Sequence, residues 1–266
     1  MEKRPSSVAL SQEELFVLLG YLKAPSLMGL DGKILDQLPP SEARAVLKAA
    51  ERCLVARGHL QPASDHRFTL LTEITGLLAT CITPEVSVLV NHNRSEHLDE
   101  QLFIHHLRKM TVLHTLPLSG IHQFIALEKK NASLQVITSL MKLSDKNELQ
   151  GRAGEIFSSQ IMVAREYAQK NRKEECVDIL VKGGLKKEFA EKLAVTLMNP
   201  LSSTNVVMIR HGKNFNEGQG LNVLQGGNCI WLLRPQDYDS QERRPVEVTA
   251  VSSQQVLDAL KQMINL

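Results

Sequence analysis

Val206-Val207-Met208-Ile209-Arg210-His211-Gly212 and Val86-Ser87-Val88-Leu89-Val90-Asn91-His92 are two apolar, β-branched runs, each closed by a polar residue and a histidine. Short runs of this composition, bounded by turn-forming residues, predict strands. A proline, Pro84 or Pro200, stands just ahead of each and stops a helical pattern upstream. Further back, Leu54-Val-Ala-Arg-Gly58 matches Leu180-Val-Lys-Gly-Gly184, both read as helix ends stopped by glycine, and Phe68 matches Phe189 in the next predicted helix. Downstream, Val136 and Leu140 stand where Val256 and Leu260 stand in two closing helices. The same series of elements with the same punctuation occurs twice, which predicts an internal duplication.

Outward from these strands, the first half opens with residues 1–10 as a flexible leader. Ser11 and Glu14 have the spacing of a capping box, ahead of a helix carrying Leu15, Leu18, Leu19 and Leu22 and ended by Pro25 and Gly29. Ser41 is placed to cap a second helix that runs to Gly58, with Ala43, Val46, Leu47, Ala50, Cys53 and Leu54 in one stripe. A third is predicted over 67–81. The apolar period then falls from 3.6 toward 2, giving strands over 86–90, 102–107, 111–116 and 121–127 before a helix that starts at Asn131. Residues 144–150 read as a polar linker. Past it, helices over 156–167, 174–181 and 189–197 precede strands over 206–209, 221–224, 229–233 and 246–251, and a last helix starts at Ser252 or Ser253 and runs to 264. The expected fold class is α+β: two pseudo-repeated halves, 11–143 and 151–266, each a helical layer on an antiparallel sheet, related by a pseudo-twofold axis.

With 266 residues, 43% of them hydrophobic and 23% charged, the chain has the composition of an ordinary globular protein. Its 31 basic and 29 acidic residues leave a net charge of +2, too little to draw nucleic acid or an anionic membrane by charge alone. No apolar run approaches the roughly 18 residues that a membrane span requires, and the N-terminus lacks the apolar core of a signal peptide. The four cysteines, Cys53, Cys81, Cys176 and Cys229, are scattered without the paired spacing of a metal or disulfide frame. A cytoplasmic protein is expected.

Ala49-Ala-Glu-Arg-Cys-Leu-Val-Ala-Arg-Gly58, followed by a short helix, a proline and a strand, with the whole series recurring once, resembles the EspG family, the cytosolic chaperones of type VII secretion. The resemblance covers most of the chain through apolar and glycine positions, without a diagnostic motif. It implies a pseudo-symmetric α+β fold and protein binding without catalysis. No residue set here matches that family's client-binding loop.

Four chemical readings compete with this one. Arg210-His211-Gly212 at a strand end looks like the nucleophile of a histidine phosphatase. That chemistry needs a second histidine and a further arginine downstream, and no histidine follows His211. His92, His97, His105, His106, His114 and His122 are dense enough to suggest zinc, but strand alternation sends His105 and His106 to opposite faces, leaving His114 and His122 as the pair able to share one. Gly212, Gly218, Gly220, Gly226 and Gly227 join strand to strand, so the helix N-terminus that completes a phosphate cradle is missing. A winged-helix regulator would place Arg44, Lys48, Arg52 and Arg57 against DNA phosphates, with Glu42 and Glu51 among them opposing it. No catalytic residue, metal or cofactor is assigned. The candidate contact surface for a protein partner is the loop carrying Lys213, Asn214, Phe215, Asn216, Glu217 and Gln219, because long polar loops are where binding proteins meet their partners.

Overall fold

A computed structural model describes residues 7–63, 68–95, 99–128, 131–144, 148–213, 216–236 and 244–264. The described elements run β1 (Ser7–Ser11), α1 (Gln12–Leu22), α2 (Pro40–Ala56), β2 (Leu60–Pro62), β3 (Phe68–Leu70), α3 (Thr72–Ile82), β4 (Val86–Arg94), β5 (Glu100–Leu107), β6 (Met110–Leu118), β7 (Ile121–Ala126) and α4 (Ala132–Met141). There follow β8 (Gly151–Phe157), α5 (Ser158–Gln169), α6 (Lys173–Lys182), α7 (Lys187–Met198), β9 (Ser202–His211), β10 (Asn216–Gln225), β11 (Ile230–Pro235), β12 (Pro245–Val251) and α8 (Ser253–Met263). Ten strands make one antiparallel sheet in the order β1-β7-β6-β5-β4-β9-β10-β11-β12-β8, and β2 and β3 pair as a separate hairpin. The fold class is α+β, as expected.

The two strands of the opening comparison, β4 and β9, are neighbours at the middle of that sheet. Their alternation is visible in burial. Val86, Val88, Val90 and His92 are buried along β4, where Ser87 of the opposite face is buried too, and Thr204, Val206 and Met208 along β9.

By compactness the chain divides into two units. The first holds Met1–Val88, Leu102–Ser133 and Arg210–Glu217; the second holds Leu89–Gln101, Leu134–Ile209 and Gly218–Leu266. The core of the first unit gathers Leu10, Leu15, Leu18, Leu54, Leu60, Leu78, Val112 and Phe124 from its helices and strands. Burying each such side chain contributes about 1.5–3 kcal/mol. That of the second gathers Ile156, Leu180, Leu193, Trp231 and Val248, with Phe189 edge-on to the Trp231 ring at 6.4 Å.

Several local expectations are corrected. Ser7–Leu10, read as part of a leader, form β1 with Val8 and Leu10 buried and pair with β7 at the sheet edge. Ser11 and Glu14 do form the capping box of α1. Ser41, by contrast, is no cap: α2 begins one residue earlier, with Pro40 at its first position, where a missing N–H costs nothing. Residues 68–70, read as helix, are β3, so Phe68 lies on a strand and Phe189 on a helix and the two are not counterparts. The helix expected from 156 starts at Ser158, and the residues before it form β8. On α4 the buried positions are Ile137 and Met141 rather than Val136 and Leu140, so the match to the buried Val256 and Leu260 of α8 is shifted by one residue. The helix ends matched around Gly58 and Gly184 hold, and both glycines have positive φ, 73° and 114°.

Candidate functional site

His211 ends β9 half-buried, and its Nε2 lies 2.9 Å from the Ser87 hydroxyl, which lies 3.0 Å from Nδ1 of His105. A serine between two histidines suggests an activated nucleophile. Ser87 is fully buried, however, so its oxygen is not presented to a substrate in solution. The same bonds satisfy polar groups that strand alternation has carried into the core.

The histidines expected to share a face do so. His114 Nε2 and His122 Nδ1 are 2.9 Å apart, and the His114 ring stacks between Phe103 and Phe124 at 5.1 and 4.5 Å. Gly29, at φ +84°, crosses above: a Cβ there would sit 2.6 Å from the Phe103 ring. Burial holds the His105 and His114 imidazoles neutral, with titration lowered to about 4 and about 3; neighbouring His211 adds to the first and His122 and His105 to the second. His106 faces the other way and bonds Thr111, and His92 bonds Thr204 at 2.7 Å. His97 lies outside the described residues. Among the described residues no three His, Cys, Asp or Glu side chains are grouped to hold a metal.

Of the candidate contact residues, Lys213 follows the end of β9 and is exposed, while Asn214 and Phe215 lie outside the described residues. Asn216, Glu217 and Gln219 are not loop: they begin β10, five residues ahead of the strand start expected at 221, and are exposed there. The hairpin from β9 to β10 therefore has a shorter turn and longer arms than the sequence predicts. On α2, Arg44 and Lys48 are exposed, whereas Arg57 is engaged by Glu14 at 2.8 Å.

A concave site that sequence reading missed lies in the second unit. Asn91 and Asn93 of β4, Ser203 and Asn205 of β9, Asn222 of β10 and Arg165 of α5 line a polar depression of about 380 Å³. Alternation explains the set: on β4 and β9 these residues occupy the positions between the buried ones, and so share the opposite face. Asn222 donates to Ser203 Oγ at 3.2 Å, and Asn91 accepts from Gln101 at 2.9 Å. The Asn222 side-chain oxygen is buried without a partner among the described residues. Burial lowers the proton affinity of the Arg165 guanidinium, and among the described residues it has no ion pair. The lining offers hydrogen-bond donors, one cation and no carboxylate.

No protein-family model and no curated protein matches the sequence. Among solved structures, the Mycobacterium tuberculosis type VII secretion chaperone EspG5, determined in complex with the PE25–PPE41 dimer, superposes with a TM-score of 0.65 over 96% of this chain and 95% of that one. The fold is EspG-like. Identity is only 10%, so the likeness is one of fold. HtdX of the same organism is 12% identical over 93% of this chain and 100% of its own, but its TM-score of 0.13 carries no weight. Within the EspG-like fold, no helix among the described residues is long and apolar enough to cross a membrane.

Proposed function

We propose that this chain is a non-enzymatic, cytoplasmic protein that binds another protein, as a chaperone or adaptor linked to protein secretion. The observation that carries the reading is the EspG-like fold over nearly the whole chain, since the matched protein is a secretion chaperone captured with a protein dimer. We place the contact at the β9–β10 hairpin, at Lys213, Asn214, Phe215, Asn216, Glu217 and Gln219. The exposure of Lys213, Asn216, Glu217 and Gln219 supports that placement. The repeat boundary belongs to the same proposal, at 144–150. It is supported by the sheet order, which runs β1-β7-β6-β5-β4 from one edge and β8-β12-β11-β10-β9 from the other.

The test is affinity capture with the tagged chain and with a variant whose residues 213–217 are replaced by a two-residue turn. The expected result is a stoichiometric polypeptide with the full chain, lost from the variant while its thermal unfolding stays cooperative. Absence of any stoichiometric partner from the full chain would sink the reading. Titration with duplex DNA at two salt concentrations separates it from a regulator, for which affinity would fall steeply with salt.

A further inference from the structure

Three observations meet at the depression formed by β4, β9, β10 and α5. The first is a half-buried arginine, lining the depression without an ion pair among the described residues, when drawing a cation even partly out of solvent is costly unless an anion or acceptors compensate it. The second is a lining of amides and a hydroxyl with no carboxylate, so that Arg165 is its one charged group. The third is that the side chains of Asn93 and Asn205 are exposed on that face, where their amides can donate. An occupant that answers all three brings a negative charge for Arg165 and acceptor oxygens for the asparagine amides.

We propose that this depression is an acidic-residue pocket, which takes an aspartate or glutamate side chain of the bound polypeptide, its carboxylate on Arg165 and on the Asn93 and Asn205 amides. The assignment rests on the protein-binding function proposed above and specifies the chemistry of the partner. A volume of about 380 Å³ suits one or two residues of a segment rather than a folded surface. An exposed apolar side chain on the helix that carries the charge favours a polypeptide over a free small acid: Met162, three residues before Arg165 on α5, is 65% exposed. Asparagine amides on two neighbouring strands supply the donors that flank a carboxylate, and Arg165 can engage it through two parallel bonds.

The experiment titrates the full chain with acetyl-Gly-Asp-Gly-amide, acetyl-Gly-Asn-Gly-amide and sodium acetate, following side-chain amide and guanidinium resonances by NMR. The aspartyl peptide is expected to shift the resonances of Arg165, Asn93 and Asn205 with an affinity at least about tenfold above that of the asparaginyl peptide, the cost of removing a charged hydrogen bond. Arg165→Gln should abolish the difference and Arg165→Lys should restore part of it, with unchanged circular dichroism in both. Equal binding of the two peptides, binding unaffected by Arg165→Gln, or no binding of the aspartyl peptide overturns the proposal. Acetate as strong as the aspartyl peptide overturns the polypeptide as the source of the carboxylate. A chain that captures its partner equally well with Arg165→Gln leaves the protein-binding function standing and removes only this pocket. A full chain that captures nothing removes the function itself.

Discussion

His105 and His114 show what a buried, neutral imidazole does to stability. Burial lowers their folded-state titration to about 4 and about 3, whereas in the unfolded chain they take up protons near 6.5. Above that value neither state is protonated and the stability is intact. As pH falls below it the unfolded state binds more protons, and each histidine removes about 1.4 kcal/mol per pH unit until its own folded value is reached. Urea midpoints should therefore fall between pH 7 and pH 5, and His114→Phe should flatten the slope. Equal slopes in the two chains would contradict this account. Two glycines make a second case: a Cβ on Gly154 would meet the Gly184 carbonyl oxygen at 2.5 Å, and one on Gly184 would meet that of Glu155 at 2.7 Å. Backbones cross there with no room to yield, so Gly154→Ala and Gly184→Ala should each destabilise by roughly 2–4 kcal/mol in chemical denaturation. Alternation made the shared face of His114 and His122 legible in the sequence. The partner of Ser87 was not, because His211 lies far along the chain and reaches it only once β4 and β9 are paired.

At the scale of elements, Arg57 fastens the start of the first unit. Its guanidinium donates two bonds to the buried Glu14 carboxylate, at 2.8 and 2.9 Å, and a third to the Ala9 carbonyl at 2.6 Å, joining the end of α2 to the cap of α1 and to β1. Arg57→Ala leaves Glu14 charged and buried, 5% exposed, and should cost about 1–3 kcal/mol in thermal or urea unfolding. A loss no greater than that of an exposed surface pair would show that water replaces the arginine. The long amphipathic helices and the four-strand runs of each half were readable, because ten or more residues of one period outweigh local ambiguity. The strands missed had weak signals of their own. β8 contains Gly151 and Gly154, residues depleted from strands, and the five residues of β1 show an alternation too short to separate from a tail. The asparagines of the polar depression carried no signal of a site in the sequence, because only the adjacency of β4, β9 and β10 brings them together.

For the whole molecule, the predicted order of elements carried the reading further than any motif did: α+β class, antiparallel sheet and EspG-like fold were all within its reach. Which residues form a binding surface was not, since that depends on positions far apart in the chain meeting on one sheet face. The sheet order has another consequence. An unpaired strand edge is a template on which further chains can add, and this sheet ends in two edges of different character. β8 is blunted by two glycines, a register shift opposite Val248 and Thr249, and the ion pairs of Arg152 with Glu155 and Glu247. β1, Ser-Val-Ala-Leu-Ser, carries no charge, and behind it lies β7, Ile-His-Gln-Phe-Ile-Ala, equally uncharged with His neutral. A chain shortened by its first eleven residues should expose β7 and self-associate into thioflavin-positive fibrils or aggregates, whereas one shortened by six should stay monodisperse in light scattering. The short strand first taken for a loose tail is what covers β7.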